Sequence, residues 1–387
     1  MRSSGKSLPA CSRLSTSLLV SIFLLAAGST ATIAQDGPTG ITVPTILPPF
    51  DPAAPICTVP PGLQKVLAFA QDNEREFMNG VGRGLAIAAQ KRGLEYRVAL
   101  AGDNAVKEIE QVQALLAAKV GAVVAAPVNA LSVSRGLQQL IWSGAYVGTV
   151  VPPPATTILN APQYLTGKVL GDAAAAYIRE NLKGRARVVL LTHDSLQFLA
   201  PRFSAMRDSL KALPGVTIVA DISPSTVNKE GGAATMRTIL LAHPVIDVVL
   251  GADTVVLGAL QALRAAGKAR PDQFLGGIDG EPEAVSEIKR GGGPYKASVS
   301  LNSPVFGYAM GHHAADWLQG KSIPQAMDIL PKALTAANMS QYEADLADPA
   351  AVYADPARRD SYLRMYGNIC YDTRDRYLNF PWSSERR

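Results

Sequence analysis

The sequence predicts an α/β protein with two Rossmann-like lobes, each built on a parallel sheet, and a hinge between them. Short apolar runs alternate with helix-length amphipathic stretches, which is typical of βαβ units. The composition is 48% apolar but only 6% aromatic, which favours aliphatic parallel strands covered by helices. A proline run, Pro152-Pro153-Pro154, interrupts the alternation before it begins again. The 387 residues leave room for two such lobes.

The first series of alternating segments begins at Val66. Each predicted strand is a short apolar run, and each predicted helix is long enough to cover part of a sheet. Connections of this kind are right-handed and join parallel strands, so these segments predict one parallel sheet. The predicted strands span 66–70, 96–101, 122–128 and 146–151, and the predicted helices span 77–91, 105–119 and 131–142.

The alternation of predicted strands and helices begins again after the proline run. Two similar halves joined by a proline break predict two lobes with a hinge. Sheets of this class bind ligands outside the carboxyl ends of their strands, so the gap between the lobes is the expected binding site. The predicted strands span 187–192, 216–221, 247–251, 274–278 and 297–301, and the predicted helices span 166–182, 201–213, 232–242, 255–266, 283–290 and 304–319.

Residues 1–34 are expected to be an export signal peptide. Arg2, Lys6 and Arg13 precede an apolar run over 18–27, and small residues follow. The alternative is a membrane anchor, which needs about 20 apolar residues. We therefore expect a periplasmic protein without direct membrane insertion. Without the leader the net charge falls from +5 to about +2, and no basic stripe remains, so nucleic acid is not an expected partner.

Export would leave two cysteines, Cys57 and Cys370. In an oxidising compartment an isolated pair predicts a disulfide, and the alternative is two unrelated buried thiols. The bridge would tie an extended lead-in, residues 35–62, to a C-terminal extension, residues 341–387. The extension carries eight aromatic residues and is expected to pack on the body of the protein. A partner-docking surface is the alternative role for this extension.

Two sequence motifs in the second half of the chain indicate a family more specifically than the alternation of strands and helices does. Residues 248–260 read VVLGADTVVLGAL, and residues 276–280 read GGIDG. Both resemble the sugar-binding periplasmic proteins of ABC importers, and the ribose-binding-protein-like branch is the most similar. The resemblance extends over residues 63–334. It implies the type I periplasmic-binding-protein fold, in which two lobes are joined by a three-segment hinge.

The resemblance also implies where the chain divides. It places the hinge crossings near Pro153, Ser303 and Thr335. The first lobe would then hold residues 63–154 and 304–334, and the second lobe residues 155–303 and 335–340.

Three candidate ligand contacts lie in the loop after the first predicted strand. By similarity, Phe77 occupies the position of an aromatic that stacks on a sugar ring, and Arg75 that of a polar contact to hydroxyls. The alternatives are a core residue for Phe77 and a surface ion pair for Arg75. Asn73 is a further candidate that could instead cap the next helix.

Four candidates lie in the second half. Asp279 is the strongest candidate, because a carboxylate at the end of a strand can accept hydrogen bonds from two hydroxyl groups. The alternative is an aspartate that stabilises a turn or caps a helix. Arg202 matches the family's arginine before a helix, where a planar fork reaches two oxygens; its alternative is a solvated charge. Asp253 either contacts the ligand or caps the following helix. Asn302 falls where the family implies a hinge-side amide.

Two departures from the family bear on the ligand. Ala252 stands where an amide is usual, and prolines replace a polar pair after the fourth predicted strand. We therefore expect a sugar, a polyol or a related small molecule rather than specifically a pentose or hexose. No complete catalytic motif or metal-ligand spacing is present, so neither an enzyme nor a cofactor or metal is expected.

The predicted function is a solute-binding receptor of an ABC importer. Ligand contacts from both lobes would favour the closed state, which the receptor would present to an inner-membrane permease. The alternative is a secreted sensor component for a membrane kinase or chemoreceptor.

Overall fold

The computed structural model describes residues 45–150, 154–193 and 199–385. The predicted signal peptide, residues 1–34, and the crossing predicted near Pro153 lie outside the described residues. Among the helices of the described chain, none combines the length and apolar character needed to cross a membrane.

The first half of the chain builds most of one sheet from strand–helix units. Asparagine side chains determine where two of its helices begin, because Asn104 and Asn129 each accept hydrogen bonds from two backbone N–H groups of the first turn. The elements are β1 (Gln64–Gln71), α1 (Glu76–Arg92), β2 (Glu95–Leu100), α2 (Ala105–Ala117), β3 (Val120–Ala125), α3 (Ala130–Trp142), β4 (Tyr146–Thr149) and β5 (Thr157–Asn160).

The chain then crosses to a second sheet and repeats the alternation. Asn228 caps one of its helices by accepting a hydrogen bond from the backbone N–H of Gly231. The elements are α4 (Gln163–Asn181), β6 (Arg185–Leu191), α5 (Ala200–Lys211), β7 (Gly215–Ile222), α6 (Lys229–Ala242), β8 (Val248–Leu250), α7 (Asp253–Ala265), β9 (Phe274–Ile278), α8 (Pro282–Arg290) and β10 (Tyr295–Ser300).

The last part of the chain returns to the first sheet and contributes further strands to both sheets. The elements are α9 (Ser303–Leu318), β11 (Ala326–Ile329), β12 (Lys332–Leu334), α10 (Met339–Ala347), α11 (Pro349–Ala354), α12 (Pro356–Asp360), β13 (Leu363–Tyr366) and a short 3-10 helix (Tyr371–Arg376).

The strands form one seven-stranded and one six-stranded sheet. The order is β13-β11-β5-β4-β3-β1-β2 in the first and β12-β10-β9-β8-β6-β7 in the second. Neighbouring strands are parallel except for two edge strands, since β13 is antiparallel to β11 and β12 to β10. This architecture confirms the predicted fold class. We call the first sheet and the helices packed on it the first lobe, and the second sheet with α4–α8 the second lobe.

The chain passes between the two sheets four times. Three of these passages are short, and we call them the first, second and third crossings; the fourth runs through the C-terminal extension, from β12 to β13. The first crossing is 160–163, the second is 300–303 and the third is 329–332. All three leave the carboxyl end of a strand, and β12 enters the second sheet beside the carboxyl end of β10, where Ser300 pairs with Lys332. The carboxyl edges of the two sheets therefore face each other across the crossings.

Two of these positions differ from the sequence-based boundaries. Strand β5 belongs to the first sheet, although the sequence placed the end of that part of the lobe at residue 154. The third crossing precedes β12 instead of lying near Thr335. Strands β5 (TILN) and β12 (KAL) are short and contain polar residues, so neither lies in an apolar run of the sequence, whereas the equally short β4 and β8 do.

Each sheet is buried on both faces. Because successive strand residues point to opposite faces, Leu67 and Phe69 of β1 pack with α1 and α9, while Val66 and Ala68 pack with α2 and α3. The second sheet has the same arrangement, with α6, α7 and α8 on one face and α4 and α5 on the other.

The C-terminal extension packs on this framework. Strand β13 pairs with β11 at the edge of the first sheet. Trp382 is 7% exposed, and its indole N–H donates to the carbonyl of Thr45 at 2.9 Å. The predicted disulfide between Cys57 and Cys370 is present and ties the lead-in to the extension.

Candidate functional site

The turn after β9 presents Asp279 at the carboxyl edge of the second sheet. Its backbone has φ of +119°, which side-chain-bearing residues rarely adopt, and Gly280 follows with φ of +70°. The side chain is exposed, and it accepts no hydrogen bond from any residue in the described ranges. The turn therefore holds a carboxylate to which no described residue donates, at the carboxyl edge of the second sheet.

The surroundings of Asp279 change the pKa of its carboxylate. Although the side chain is accessible to solvent, the surrounding protein desolvates the carboxylate and raises its pKa to about 7. The positive charge of Arg202 opposes this rise in pKa, and the negative charge of Asp253 adds to it.

Three hydrogen bonds hold the strained turn. The backbone N–H of Asp279 donates to Val299 at 2.8 Å, and that of Gly280 to the Ser298 hydroxyl at 3.0 Å. The backbone N–H of Glu281 donates to the Asp253 carboxylate at 2.9 Å. The conformation of residues 279–281 is therefore imposed by strand β10 and by the first residue of α7.

Asp253 supports this turn from beneath. It is fully buried, and its carboxylate also accepts hydrogen bonds from the hydroxyls of Tyr295 at 2.7 Å and Ser298 at 2.6 Å. It does not cap α7, whose N-cap residue is Ala252. Burial raises the pKa of Asp253, and the hydrogen bonds oppose that rise. Its oxygens are thus engaged within the protein.

Gly277, two residues before Asp279, leaves room for the Asp253 carboxylate that supports the turn. A Cβ atom at Gly277 would lie 1.9 Å from Oδ1 of Asp253 and 2.5 Å from the Tyr295 hydroxyl. In the structure, Gly277 makes room for the supporting carboxylate.

Arg202 lies in the first turn of α5 and is 8% exposed. Its Nε donates to the side-chain oxygen of Gln163 at 2.9 Å, at the start of α4. Burial lowers the pKa of Arg202, and the negative charge of Asp279 raises it. The guanidinium is therefore a buried neighbour of Asp279, not the solvated charge of the alternative interpretation.

Glu281 was not among the candidates from sequence. Burial raises its pKa to about 7, with further contributions from Asp253 and Asp279, while Lys229 opposes the rise. Glu281 directly follows the 276–280 motif, and this position could have identified it as a further candidate.

Asn302 occupies the second crossing and is 3% exposed. Its φ is +30°, and its side-chain oxygen accepts a hydrogen bond from the backbone N–H of Val305 at 3.4 Å, so it caps α9. Its backbone N–H donates to the Ser300 hydroxyl at 3.1 Å. Its buried side-chain nitrogen makes no hydrogen bond of good geometry to a described residue. It does lie near the hydroxyl of Tyr362: burial raises the pKa of Tyr362, and the interaction with Asn302 opposes that rise.

The three candidates of the first lobe share the turn between β1 and α1. Asn73 is 6% exposed; its side-chain oxygen accepts from the backbone N–H of Arg75 at 2.9 Å, and its side-chain nitrogen donates to Asp72 at 2.7 Å. The guanidinium of Arg75 lies 3.8 Å from Asp103 and is 76% exposed. Phe77 is half-buried, with its ring centroid 5.5 Å from that of Phe306.

The structure thus brings the candidates together in two groups, one on each lobe. Arg202, Asp253 and Asp279 are electrostatic neighbours in the second lobe. The other group is the turn of Asn73, Arg75 and Phe77, and Asn302 lies at a crossing between the lobes. In the described ranges, the one set of three residues close enough to hold a metal is Cys57, Cys370 and Asp372, whose thiols form the disulfide. That set supplies no metal site in the oxidised protein.

Comparisons with known proteins agree on one family. Its sequence profile, described as a periplasmic binding protein domain, matches residues 66–322, which is well over half of the chain. A putative rhizopine-binding protein of Rhizobium meliloti is 24% identical over 262 residues, covering 65% of this chain and 83% of that protein.

Two further proteins extend this comparison. The ribose import binding protein RbsB of Salmonella typhimurium is 30% identical over 128 residues, covering 33% of this chain and 41% of that protein. The crystal structure of the Caulobacter myo-inositol binding protein with myo-inositol has a TM-score of 0.58 and 25% identity, covering 73% of this chain and 97% of that chain.

Proposed function

The chain belongs to the periplasmic binding protein domain family and is a solute-binding receptor, and from this premise we propose that it captures a sugar, a polyol or a related small polar molecule between its lobes. The observation that carries this proposal is the free carboxylate of Asp279, held on a pinned turn beside the buried Arg202. Hydroxyl groups of such a ligand would donate to the carboxylate. Hydrogen bonds to a charged group contribute about 1.5–3 kcal/mol each, so a few suffice for micromolar affinity.

The names of the relatives support a ligand of this class. The similar proteins are named for rhizopine, for ribose import and for myo-inositol. Relatives named for import also support transport over the sensor alternative. Because all these relatives are binding proteins, we propose that the chain binds its ligand without converting it.

The proposed contacts come from both lobes and from the hinge. Asp279 and Arg202 would bind from the second lobe, Phe77 and Arg75 from the first, and the amide nitrogen of Asn302 from the second crossing. A ligand bound by both lobes stabilises the closed state, because that state alone provides all the contacts. The closed receptor would then deliver its ligand in the periplasm to an ABC permease.

Two candidates have supporting roles in this proposal. The oxygens of Asp253 hold the turn after β9, and the amide of Asn73 shapes the turn after β1. Both residues would determine where the contact residues lie without binding the ligand themselves.

A thermal-shift measurement with D-ribose, myo-inositol and glycerol tests the proposal. A ligand at about 100 times its Kd adds about 2.7 kcal/mol to the stability of the folded protein. We expect at least one of these probes to raise the melting temperature and Asp279→Ala to abolish that rise. Asp272→Ala, an exposed aspartate of the same lobe, is the matched control and should keep the full shift. Equal shifts in the wild type and Asp279→Ala would place the ligand elsewhere.

A further inference from the structure

We propose that the C-terminal extension is a working part of the hinge, and that three of its tyrosines are positioning residues that fix the angle between the lobes. Tyr342 and Tyr362 contact the second and third crossings directly, and Tyr366 reaches the first crossing through the carboxylate of Asp328. The expected effect of these tyrosines on ligand affinity rests on the proposed function. Their expected effect on the angle between the lobes does not.

Tyr342 holds the second crossing. It is 6% exposed, and its hydroxyl lies 2.7 Å from the hydroxyl of Ser300, which accepts the backbone N–H of Asn302 at 3.1 Å. A Cβ atom at Gly280 would lie 3.1 Å from the same tyrosine hydroxyl. Tyr342 therefore packs between the crossing and the turn that presents Asp279.

Tyr362 holds the third crossing. Its backbone carbonyl accepts the N–H of Leu330 at 2.8 Å, and the ammonium of Lys332 lies 3.5 Å from its ring centroid. The side chain is 3% exposed and belongs to the core of the first lobe. Its hydroxyl donates to Asp345 of α10 at 2.5 Å, and Arg358 donates to the same carboxylate. This side chain thus links the crossing, the first lobe and α10.

Tyr366 holds the first crossing through a shared carboxylate. Asp328 is 2% exposed and accepts hydrogen bonds from the Tyr366 hydroxyl at 3.0 Å and from the side-chain nitrogen of Asn160 at 2.7 Å. Beyond the crossing, Glu385 accepts the backbone N–H of Leu165 at 2.8 Å, near the start of α4. The extension therefore holds both ends of this crossing.

The extension is also a fourth covalent connection between the lobes. Helix α10 packs into the core of the second lobe through Met339 and Tyr342, and Glu343 pairs with Lys289 of α8 at 2.6 Å. Directly afterwards, α11 packs on α9, with Val352 in the core of the first lobe. A hinge rotates through a few residues that change backbone dihedrals. Here those residues are held by tyrosines of the extension, through a side-chain hydroxyl at Ser300, a backbone carbonyl at Leu330 and the shared carboxylate of Asp328 at Asn160, so rotation would strain or break these bonds.

Hydrogen exchange and small-angle X-ray scattering of the ligand-free protein test the inference. Tyr342→Phe removes one hydroxyl at a crossing, and we expect the amides of residues 300–303 to exchange about fivefold faster, as the loss of one hydrogen bond implies. The matched control is Tyr353→Phe, which removes a hydroxyl bonded to His313 within the first lobe. It should leave exchange at the crossings unchanged.

Combining Tyr342→Phe, Tyr362→Phe and Tyr366→Phe should broaden the distribution of lobe angles and increase the radius of gyration. Should the combined variant fail to fold, Glu385→Gln tests the same inference at an exposed residue, and the amides of Tyr164 and Leu165 should then exchange faster. Equal exchange in Tyr342→Phe and Tyr353→Phe, together with unchanged scattering, would overturn the inference.

Calorimetric titration with myo-inositol separates this inference from the proposed function. Where the wild type binds it, Tyr342→Phe should weaken binding about fivefold while Tyr353→Phe leaves it unchanged. A wild type that binds none of the probes contradicts the proposed ligand class. The exchange and scattering results still decide the role of the extension in that case.

Discussion

The turn after β9 and the turn after β1 both follow buried strands and both carry polar side chains, yet they differ in what those side chains bond. In the turn after β1, Asn73 bonds Asp72 and the backbone of Arg75. In the turn after β9, the backbone N–H groups of Gly280 and Glu281 are hydrogen-bonded, and no described residue donates to the Asp279 carboxylate. A polar residue is therefore a good candidate for ligand contact when its side chain has unused hydrogen-bonding groups and its backbone is held in place. Residue type alone is not sufficient.

The largest effect should come from removing the support of the β9 turn. Asp253→Ala leaves three buried donors, from Tyr295, Ser298 and Glu281, without their acceptor. Because each unsatisfied buried donor costs about 1–3 kcal/mol, we expect a loss of about 3–5 kcal/mol in the free energy of unfolding of the second lobe. Urea denaturation measures this loss. A loss below about 1 kcal/mol would contradict the supporting role.

Next in size should be the pH dependence of ligand binding. The Asp279 carboxylate has its pKa raised to about 7, and donors from a ligand favour its ionised form. Affinity should therefore rise about tenfold from pH 6 to pH 8, and binding should release a proton. In the ligand-free protein, the contribution of Asp279 to folding stability should instead fall as the pH rises from about 4 to about 7, because its pKa is higher in the folded than in the unfolded state. Calorimetry in buffers of different ionisation enthalpy detects the released proton.

Glu281 titrates in the same range and is electrostatically coupled to Asp279. Glu281→Gln should keep the rise in affinity with pH, and Asp279→Asn should remove it. The reverse result would assign the free carboxylate to Glu281.

A smaller effect is expected for the turn after β1. Asn73→Ala removes the acceptor for the backbone N–H of Arg75, and the expected loss of stability is about 1 kcal/mol. Because Asn73 is 6% exposed and its amide already bonds Asp72 and the backbone of Arg75, affinity should change only through a shift of Arg75 and Phe77. Chemical denaturation and probe binding are measured on the same variant. A complete loss of binding at full stability would mean that Asn73 contacts the ligand directly.

The smallest effect on stability should come from Arg75→Ala. The guanidinium is 76% exposed and 3.8 Å from Asp103, and such surface pairs contribute about 0–1 kcal/mol. Stability should stay within about 0.5 kcal/mol of the wild type. A weakened probe affinity would then assign Arg75 to the ligand, whereas unchanged affinity would leave it as a surface ion pair.

The elements that the sequence predicted well share one property. Strands β1, β3, β6 and β9 are apolar runs of five to eight residues, and the helices between them are amphipathic. Periodicity of this kind is a local signal, and it was sufficient for the fold class. The strands it missed, β5, β11, β12 and β13, have only three or four residues each. Their pairing depends on neighbours that are remote in the chain.

The candidate site divides in a similar way. The 276–280 motif identified Asp279 because the motif is contiguous. Asp253 and Tyr342 act on the same turn from positions 26 residues before it and 63 residues after it in the chain, so nothing local indicates that they meet there. The role of Gly277, which makes room for Asp253, also depends on that meeting.

By itself the sequence determined the two-lobed α/β class, the family and the pair of cysteines available for a disulfide, because local periodicity, contiguous motifs and composition encode them. Only the tertiary structure decided which polar groups are already bonded, where the chain crosses between the lobes, and that the extension contacts each crossing. Those properties depend on distances between residues far apart in the chain, which packing of the complete fold alone establishes.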